Sequence, residues 1–504
     1  MKHITRMITW LLAISMLACS MVACNTKKDG ASSVSQTNGL DDVIGEAEWY
    51  LPEEKNYEGY EYKMLVNTNE SNGLPLYGVK EGDNEGDAIS VSLYDRALLM
   101  EGEYGVDIQV LVDAQFEDSI AMAGYAGLYI CDVSMIPARR IFSLAMQGYF
   151  CNFLELDQYM NLEASYWDQR IQDDYRIGDM LFTLDGDFTY YDELRTLIVV
   201  YNETVYKNYL YENTYGTPYS MVENHTWTYS NMMEMIKALS GDTSGDGEMN
   251  ELDTWGMISE LTATYYFFLG SGLKIMDNDS GELTLTIEDP TMYRQIYDVI
   301  EETMTLAENQ DILMPNDGRT LSDRSDIWGT ANKILKDNRA LFRTTTMTDV
   351  LGLQDMESNF GILPIPAFFE NQTEYHCWVS GNTETPMALY RYVPNVQITA
   401  EITERLCYHS RYSGNSLYSA FFDRMKYSRI CRTEEDVKML DLIIDSKAYD
   451  IDQATQITGL EATMYRLARD QKIDTLSSSM ENIKSAANEK FVKYFTKLIE
   501  NNKK

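Results

Sequence analysis

Leu197-Ile198-Val199-Val200-Tyr201-Asn202 decides the fold class, read together with Trp227-Thr228-Tyr229-Ser230 and with Asp242-Thr243-Ser244-Gly245-Asp246-Gly247-Glu248-Met249-Asn250-Glu251-Leu252-Asp253-Thr254-Trp255-Gly256. The first run is short, β-branched and apolar through Tyr201. That is the pattern of a strand buried on both faces, and it predicts parallel neighbours on either side. A helix opened by a polar residue follows. After Ser230 a second helix carries Met232, Met235, Ile236 and Leu239 on one face and runs directly into the acidic loop.

Working outward, the alternation repeats upstream. Tyr62 to Val66 reads as a first strand, and Asp87 opens a helix with Ile89, Leu93, Ala97 and Met100 on one stripe. Gly105 stops that helix, Val106 to Val112 gives a second strand, and Leu128 to Ile136 a third. Alternating strands and helices predict an α/β protein with parallel sheets and right-handed crossovers. Ligands in such sheets sit beyond the carboxyl ends of the strands, which singles out the loop Ile136-Pro137-Ala138-Arg139-Arg140. Arg139 and Arg140 are candidate ligand contacts because a guanidinium pairs carboxylates or phosphates on two prongs. A solvated helix start explains them equally well. Downstream, Pro290 to Ala307 reads as a helix and Asn338 to Met347 as a strand. The alternate prolines of Phe360-Gly361-Ile362-Leu363-Pro364-Ile365-Pro366 favour an edge or extended segment. Ala400 to Asn502 is mostly helical and ends in an amphipathic helix over Ala486 to Leu498.

The acidic loop has the ligand count of a calcium site. An EF-hand-like loop takes oxygens from positions 1, 3, 5, 7, 9 and 12, with glycine at 6. Counting from Asp242 gives Asp242, Ser244, Asp246, the carbonyl of Glu248, Asn250 and Asp253, with Gly247 at the turn. Ser244 and the short Asp253 depart from the preferred residues and weaken the affinity expected. A metal-free Asx-rich turn is the other reading. Any calcium here is expected to be structural, since a lone loop lacks the paired partner of a sensor.

Composition bounds the function. The 504 residues exceed one typical domain, and 79 acidic against 41 basic side chains give a formal charge of -38. That charge opposes nucleic acid and other polyanions as partners. Only 4 histidines leave little material for a histidine zinc site or a Ser-His-Asp triad. Lys2, His3 and Arg6 precede an uncharged, mostly apolar stretch from Met7 to Ala23, the layout of an export signal. It ends Met21-Val22-Ala23-Cys24, similar to the bacterial lipobox, so residues 1–24 are expected to be a lipoprotein signal peptide with Cys24 as the lipidated residue. Cys19 also follows an alanine but leaves a shorter apolar core. Residues 25–47 are too polar to fold and read as a flexible tether. Cys131, Cys151, Cys377, Cys407 and Cys431 show no metal or disulfide spacing and are expected to be buried free thiols.

The order of these landmarks resembles the extracellular solute-binding proteins of ABC importers, in the carbohydrate branch that includes maltose-binding protein. The landmarks are a strand ending Tyr-Asn, a helix, Trp-Thr-Tyr, a helix, the acidic Gly-Asp-Gly loop and Trp-Gly. The resemblance covers almost the whole chain after residue 46. It implies a two-lobed periplasmic-binding-protein-like (type II) fold with hinge crossings and an extended helical C-terminus. The N-terminal lobe would hold 48–190 and 340–378, and the C-terminal lobe 195–335 and 385–504. It implies that Asp187, Tyr190, Tyr191, Asp192 and Arg195 lie at the first crossing, at the mouth of the sugar cleft, where a tyrosine ring covers the apolar face of a sugar. Arg139, Arg140, Tyr265, Thr345 and Met347 complete the candidate ligand-binding set. The tip carries two arginines where carbohydrate binders often have an aromatic and a carboxylate. Together with Arg195 they suggest an acidic glycan.

Two functions follow. In the first, a lipid-anchored, monomeric binding protein on the outer face of the cytoplasmic membrane captures an oligosaccharide by lobe closure and hands it to ABC permease subunits. The membrane is met only through the lipid anchor, and no catalysis is involved. In the second, a secreted glycoside-acting enzyme uses paired carboxylates, which no spacing in the sequence singles out.

Overall fold

The structure, a computed structural model of the chain, describes residues 55–71, 73–79, 86–278, 282–318, 320–427 and 430–502. The export segment, Cys19, Cys24, the tether and residues 279–281 lie outside the described residues. Trp49–Lys504 forms one compact unit. Among the described residues no helix is long and apolar enough to cross a membrane.

The first sheet grows from β1 (Tyr60–Val66), flanked by β2 (Val106–Val112) and β3 (Val133–Met135), both parallel to it. The crossover from β1 to β2 is the helix Ala88–Tyr104. Asp87 caps it by accepting from the N–H groups of Ile89 and Ser90 at 3.0 and 3.1 Å, and Gly105 ends it at φ 62°. Ile89, Leu93 and Met100 are buried and Ala97 half-buried, so the expected stripe faces the sheet.

The second sheet contains β4 (Leu197–Asn202), β5 (Trp255–Ile258), β6 (Ile312–Leu313), β7 (Ala340–Thr346) and β8 (Phe360–Leu363), in the order β6-β5-β7-β4-β8. All six residues of β4 are buried, as expected. Its neighbours are not parallel: both β7 and β8 run antiparallel to it. An apolar run records that both faces are covered and says nothing of direction. Direction follows from the chain path, since β4 starts where β7 ends, with Leu197 opposite Thr346 and the Met347 N–H on the Thr196 carbonyl at 3.1 Å. Thr228 caps Tyr229–Leu239, whose buried Met232, Met235, Ile236 and Leu239 pack on the sheet.

The expected lobe boundaries need correction. β7 and β8, placed by the sequence in the N-terminal lobe with 340–378, belong to the second sheet. The strand β9 (Cys377–Trp378) follows, and β10 (Met387–Leu389), expected in the C-terminal lobe, pairs with β3 at the edge of the first sheet. The helix Val396–Tyr412 also packs on the first half, with Thr403 hydrogen-bonded to Tyr62 at 2.7 Å and His409 to Tyr104 at 2.9 Å. A β-branched run predicts a strand, but its sheet is set by pairing across more than a hundred residues, which has no local signal. The last strand, β11 (Lys447–Ala448), pairs in parallel with β9. The terminal helix is longer than expected, running over Leu476–Asn502.

Candidate functional site at the crossings between the sheets

The chain passes between the sheets at Arg195-Thr196 and again near Val379, and Thr196 and Val379 are bridged. Lys447 is buried at this junction with three carboxylates on its ammonium: Asp168 at 2.8 Å, Glu193 at 3.2 Å, and Asp192. Three local causes bring these four side chains together. Asp168 caps the helix Gln169–Tyr175, Asp192 and Glu193 sit on the short helix Tyr191–Arg195 that leads into β4, and Lys447 is fixed by the β9–β11 ladder. Asp185 and Glu384 are buried nearby. Glu384 accepts from the Tyr175 hydroxyl at 2.6 Å through one oxygen, while its other oxygen and one of Glu193 have no hydrogen-bond donor. Burial raises the lysine's cost of charge, and its carboxylate neighbours outweigh this, holding Lys447 well above its ordinary value. Burial pushes Glu384, Glu193 and Asp185 well above the usual carboxylate range. Asp192 is also penalised by burial, but Lys447 and nearby hydrogen bonds hold it below that range. Beside Lys447 opens a pocket of about 590 Å³, walled by Arg170, His225, Tyr375, His376 and Asp445 among others.

The candidate residues named from the sequence divide into three groups. Asp192 lies in the Lys447 cluster, with Asp187 adjoining it on Arg411 at 2.8 Å; burial pushes the Asp187 carboxyl up to about 6. Arg195 lies on the same helix as Asp192 and donates to the Tyr191 hydroxyl at 3.0 and 2.8 Å. The second group is committed to packing. Tyr190 is buried against Phe421 at 4.7 Å between ring centres, Met347 is buried, and Thr345 donates to Asp349 at 2.5 Å. Tyr265 is 1% exposed and donates to Asp450, so its ring face is not open. The third group is the arginines at the end of β3, which stand on the helix Ala138–Ala145 as exposed side chains. Arg140 pairs with Glu117 at 3.3 Å, and Arg139 reaches Asn382 at 3.3 Å.

Sequence reasoning missed Lys447, Asp168, Glu384, Tyr175 and Asp450. Lys447 stands in an ordinary polar stretch, Asp445-Ser446-Lys447-Ala448, and nothing local marks it as buried. Only an expectation of which segments meet at the crossings could have found it.

The acidic loop brings Asp242, Asp246 and Asp253 together, each with a carboxylate oxygen within 4.8 Å of the others. The Gly247 N–H closes the turn on Asp242 at 2.8 Å, as the glycine at position 6 requires. Asp253 is the buried end of the loop and accepts three backbone N–H groups, from Thr243, Ser244 and Asn250, each at 2.9 Å. The Asn250 amide donates to Asp246 at 2.9 Å and its oxygen accepts from the Leu252 N–H at 2.8 Å. Ser244 donates to Asp242 at 3.2 Å. Three converging carboxylates suit a hard cation with oxygen ligands. The five cysteines of the described residues are free thiols, four of them buried and Cys151 half-buried.

No family model matches the chain, and no curated protein sequence matches it. Its backbone, however, is similar to solved structures. A cyclo/maltodextrin-binding protein complexed with maltotetraose superposes with a TM-score of 0.53 at 12% identity, over 85% of this chain and 97% of that one. The maltose/maltodextrin-binding domain MalE from Bdellovibrio bacteriovorus, bound to maltotriose, gives a TM-score of 0.50 at 13% identity, over 86% of this chain and 99% of that one. The fold is therefore the two-lobed α/β fold of maltodextrin-binding proteins, with a long helical C-terminus.

Proposed function

We propose that the chain is a carbohydrate-binding protein that takes an oligosaccharide between its two sheets by closing about the crossings, and delivers it to an ABC permease. The observation that supports this reading is the fold, whose likeness spans nearly the full length of proteins bound to maltotetraose and maltotriose. A site between two sheets joined by short crossings suits capture by closure, because a few crossing residues absorb the motion. Residues 1–24 would direct export, and Cys24 would carry the lipid that holds a monomer at the outer face of the cytoplasmic membrane. Incorporation of labelled palmitate that is lost in Cys24→Ser tests the anchor.

The surroundings favour a neutral sugar over an acidic one. Arg140 is already paired with Glu117, and the crossings carry the ionised Asp192, so an anionic ligand gains little from the first and meets repulsion from the second. Calcium in the acidic loop would be held by Asp242, Asp246 and Asp253 and would relieve the repulsion among them. Calorimetry against neutral oligosaccharides and oligouronates tests the reading. Binding of one neutral glycan per chain, with the glycan recovered intact, is expected; consumption of the glycan would replace the binder with a glycoside-acting enzyme. A melting temperature lowered by chelator and restored by calcium is expected for the loop, and no change on chelation removes the ion from the account.

A further inference from the structure

The carboxyl ends of β3 and β5, where an α/β sheet presents its ligand, are spanned by the chain's own residues 447–461. Tyr449 anchors the segment through its N–H on Asp174 at 2.8 Å, and Asp450 accepts from Tyr265 on the helix Ala263–Gly270 that follows β5. The helix Ile451–Thr455 packs on Ala138–Ala145, the helix that follows β3. Gln453 accepts the Gly381 N–H at 2.8 Å, and Glu461 accepts from Asn382 at 3.1 Å. One short segment thus fastens an element of the first sheet to an element of the second.

What fastens it is acidic. Glu384 faces the Tyr175 hydroxyl, Asp192, Lys447 and Asp168. Asp185 faces Asp192, Lys447 and Glu193, and Glu193 faces Asp192 and Lys447. Asp450 faces Tyr265, Lys274, Asp174 and Asp452, and Asp452 faces Asp450, Thr458 and Lys490. Carboxylates outnumber ammonium groups throughout, and the buried oxygens of Glu384 and Glu193 that lack donors are where neutralising protons fit without added volume. We propose that residues 447–461 are a clasp across the two sheets and that closing it takes up protons from solvent.

The sign follows from the buried groups. Burial, then the neighbouring Asp450, pushes Asp452 up to about 7, against about 4 for an exposed aspartate. In that window the closed form binds more protons than the open form, so closure weakens as pH rises through it. The inference stands whether or not the solute is a sugar, because it concerns the ligand-free chain.

Hydrogen-exchange protection factors of the full chain, compared at pH 6 and pH 8.5, test it. Protection of 447–461 is expected to fall at the higher pH about tenfold or more beyond whatever fall it shares with β1 and β4. Asp452→Asn and Glu384→Gln remove the charge, and each is expected to retain more protection at pH 8.5 than the parent. Equal protection of 447–461 at both pH values in the parent overturns the clasp, and needs no variant to fold. Folded variants that lose protection as the parent does also overturn it.

Discussion

Glu404 illustrates how a single buried carboxyl couples this fold to pH. It is fully buried on Val396–Tyr412, where it accepts from the Asn161 N–H at 3.2 Å, the Trp167 indole at 3.1 Å and the Tyr166 hydroxyl. Burial pushes it up to about 7 although those donors work the other way. Between the ordinary value of about 4.3 and this one the folded state holds more protons than the unfolded, so its contribution to stability falls as pH rises through that window. Glu404→Gln is expected to remove about 2–4 kcal/mol of the stability lost between pH 5 and pH 8. Urea unfolding of both proteins at the two pH values reads this directly, and parallel losses would reject it. Asp253 acts in the opposite sense. Burial disfavours its charge, but the N–H groups it accepts hold it below the ordinary range. Asp253→Ala orphans three backbone donors and should lower stability by about 2–4 kcal/mol even in chelator, because the loss is of hydrogen bonds and not of an ion. An unchanged melting temperature in chelator would assign the residue to metal binding alone.

Among the elements, Gly256 in β5 shows why the Trp255-Gly256 pair was informative in the sequence. A Cβ there would stand 2.2 Å from the Ile236 carbonyl oxygen, so the helix Tyr229–Leu239 can approach β5 only over a glycine. The obstacle is backbone and cannot rotate away. Gly256→Ala should therefore cost about 1–3 kcal/mol, read as a lowered denaturant midpoint, and a neutral result would mean that the helix can shift off the strand. Elements of this kind were legible because their causes are local. Asp87 and Thr228 cap their helices, Gly105 ends one, and Met232, Met235, Ile236 and Leu239 repeat at helical spacing. Partnership was not legible. The antiparallel setting of β4, the membership of β7 in the second sheet and the return of β10 to the first all depend on pairing between distant segments. The cluster at the crossings followed the same division: Asp192, which the resemblance implied at the crossing into β4, lies in it, whereas Lys447, 255 residues away, carried no local mark. Tyr265 was offered as a ligand contact; it stands on the helix after β5 with its ring covered, and the segment that covers it could not be foreseen from an ordinary Tyr449-Asp450-Ile451.

For the molecule as a whole, the critical cation is Lys447. It joins the first crossing through Asp192 and Glu193, the helix Gln169–Tyr175 through Asp168, and the C-terminal segment in which it stands. Replacing both sides of such a network by apolar groups can be harmless, but removing one side leaves buried charge without a partner. Lys447→Met keeps the stem that packs in the junction and deletes the ammonium. At pH 7.5 it should destabilise the chain by about 3–5 kcal/mol, because Asp168 and Asp192 are then buried without their cation. At pH 5 the loss should shrink, since the carboxyls can take protons in place of the lysine. The comparison of the two pH values separates charge from packing: a lost side-chain contact would cost the same at both. If unfolding midpoints of the variant and parent differ equally at pH 5 and pH 7.5, Lys447 is a packing residue and the crossings are held by their backbone ladders alone. If the difference narrows at pH 5, the junction between the sheets is an electrostatic joint, and any solute that closes the molecule works against the same buried charges.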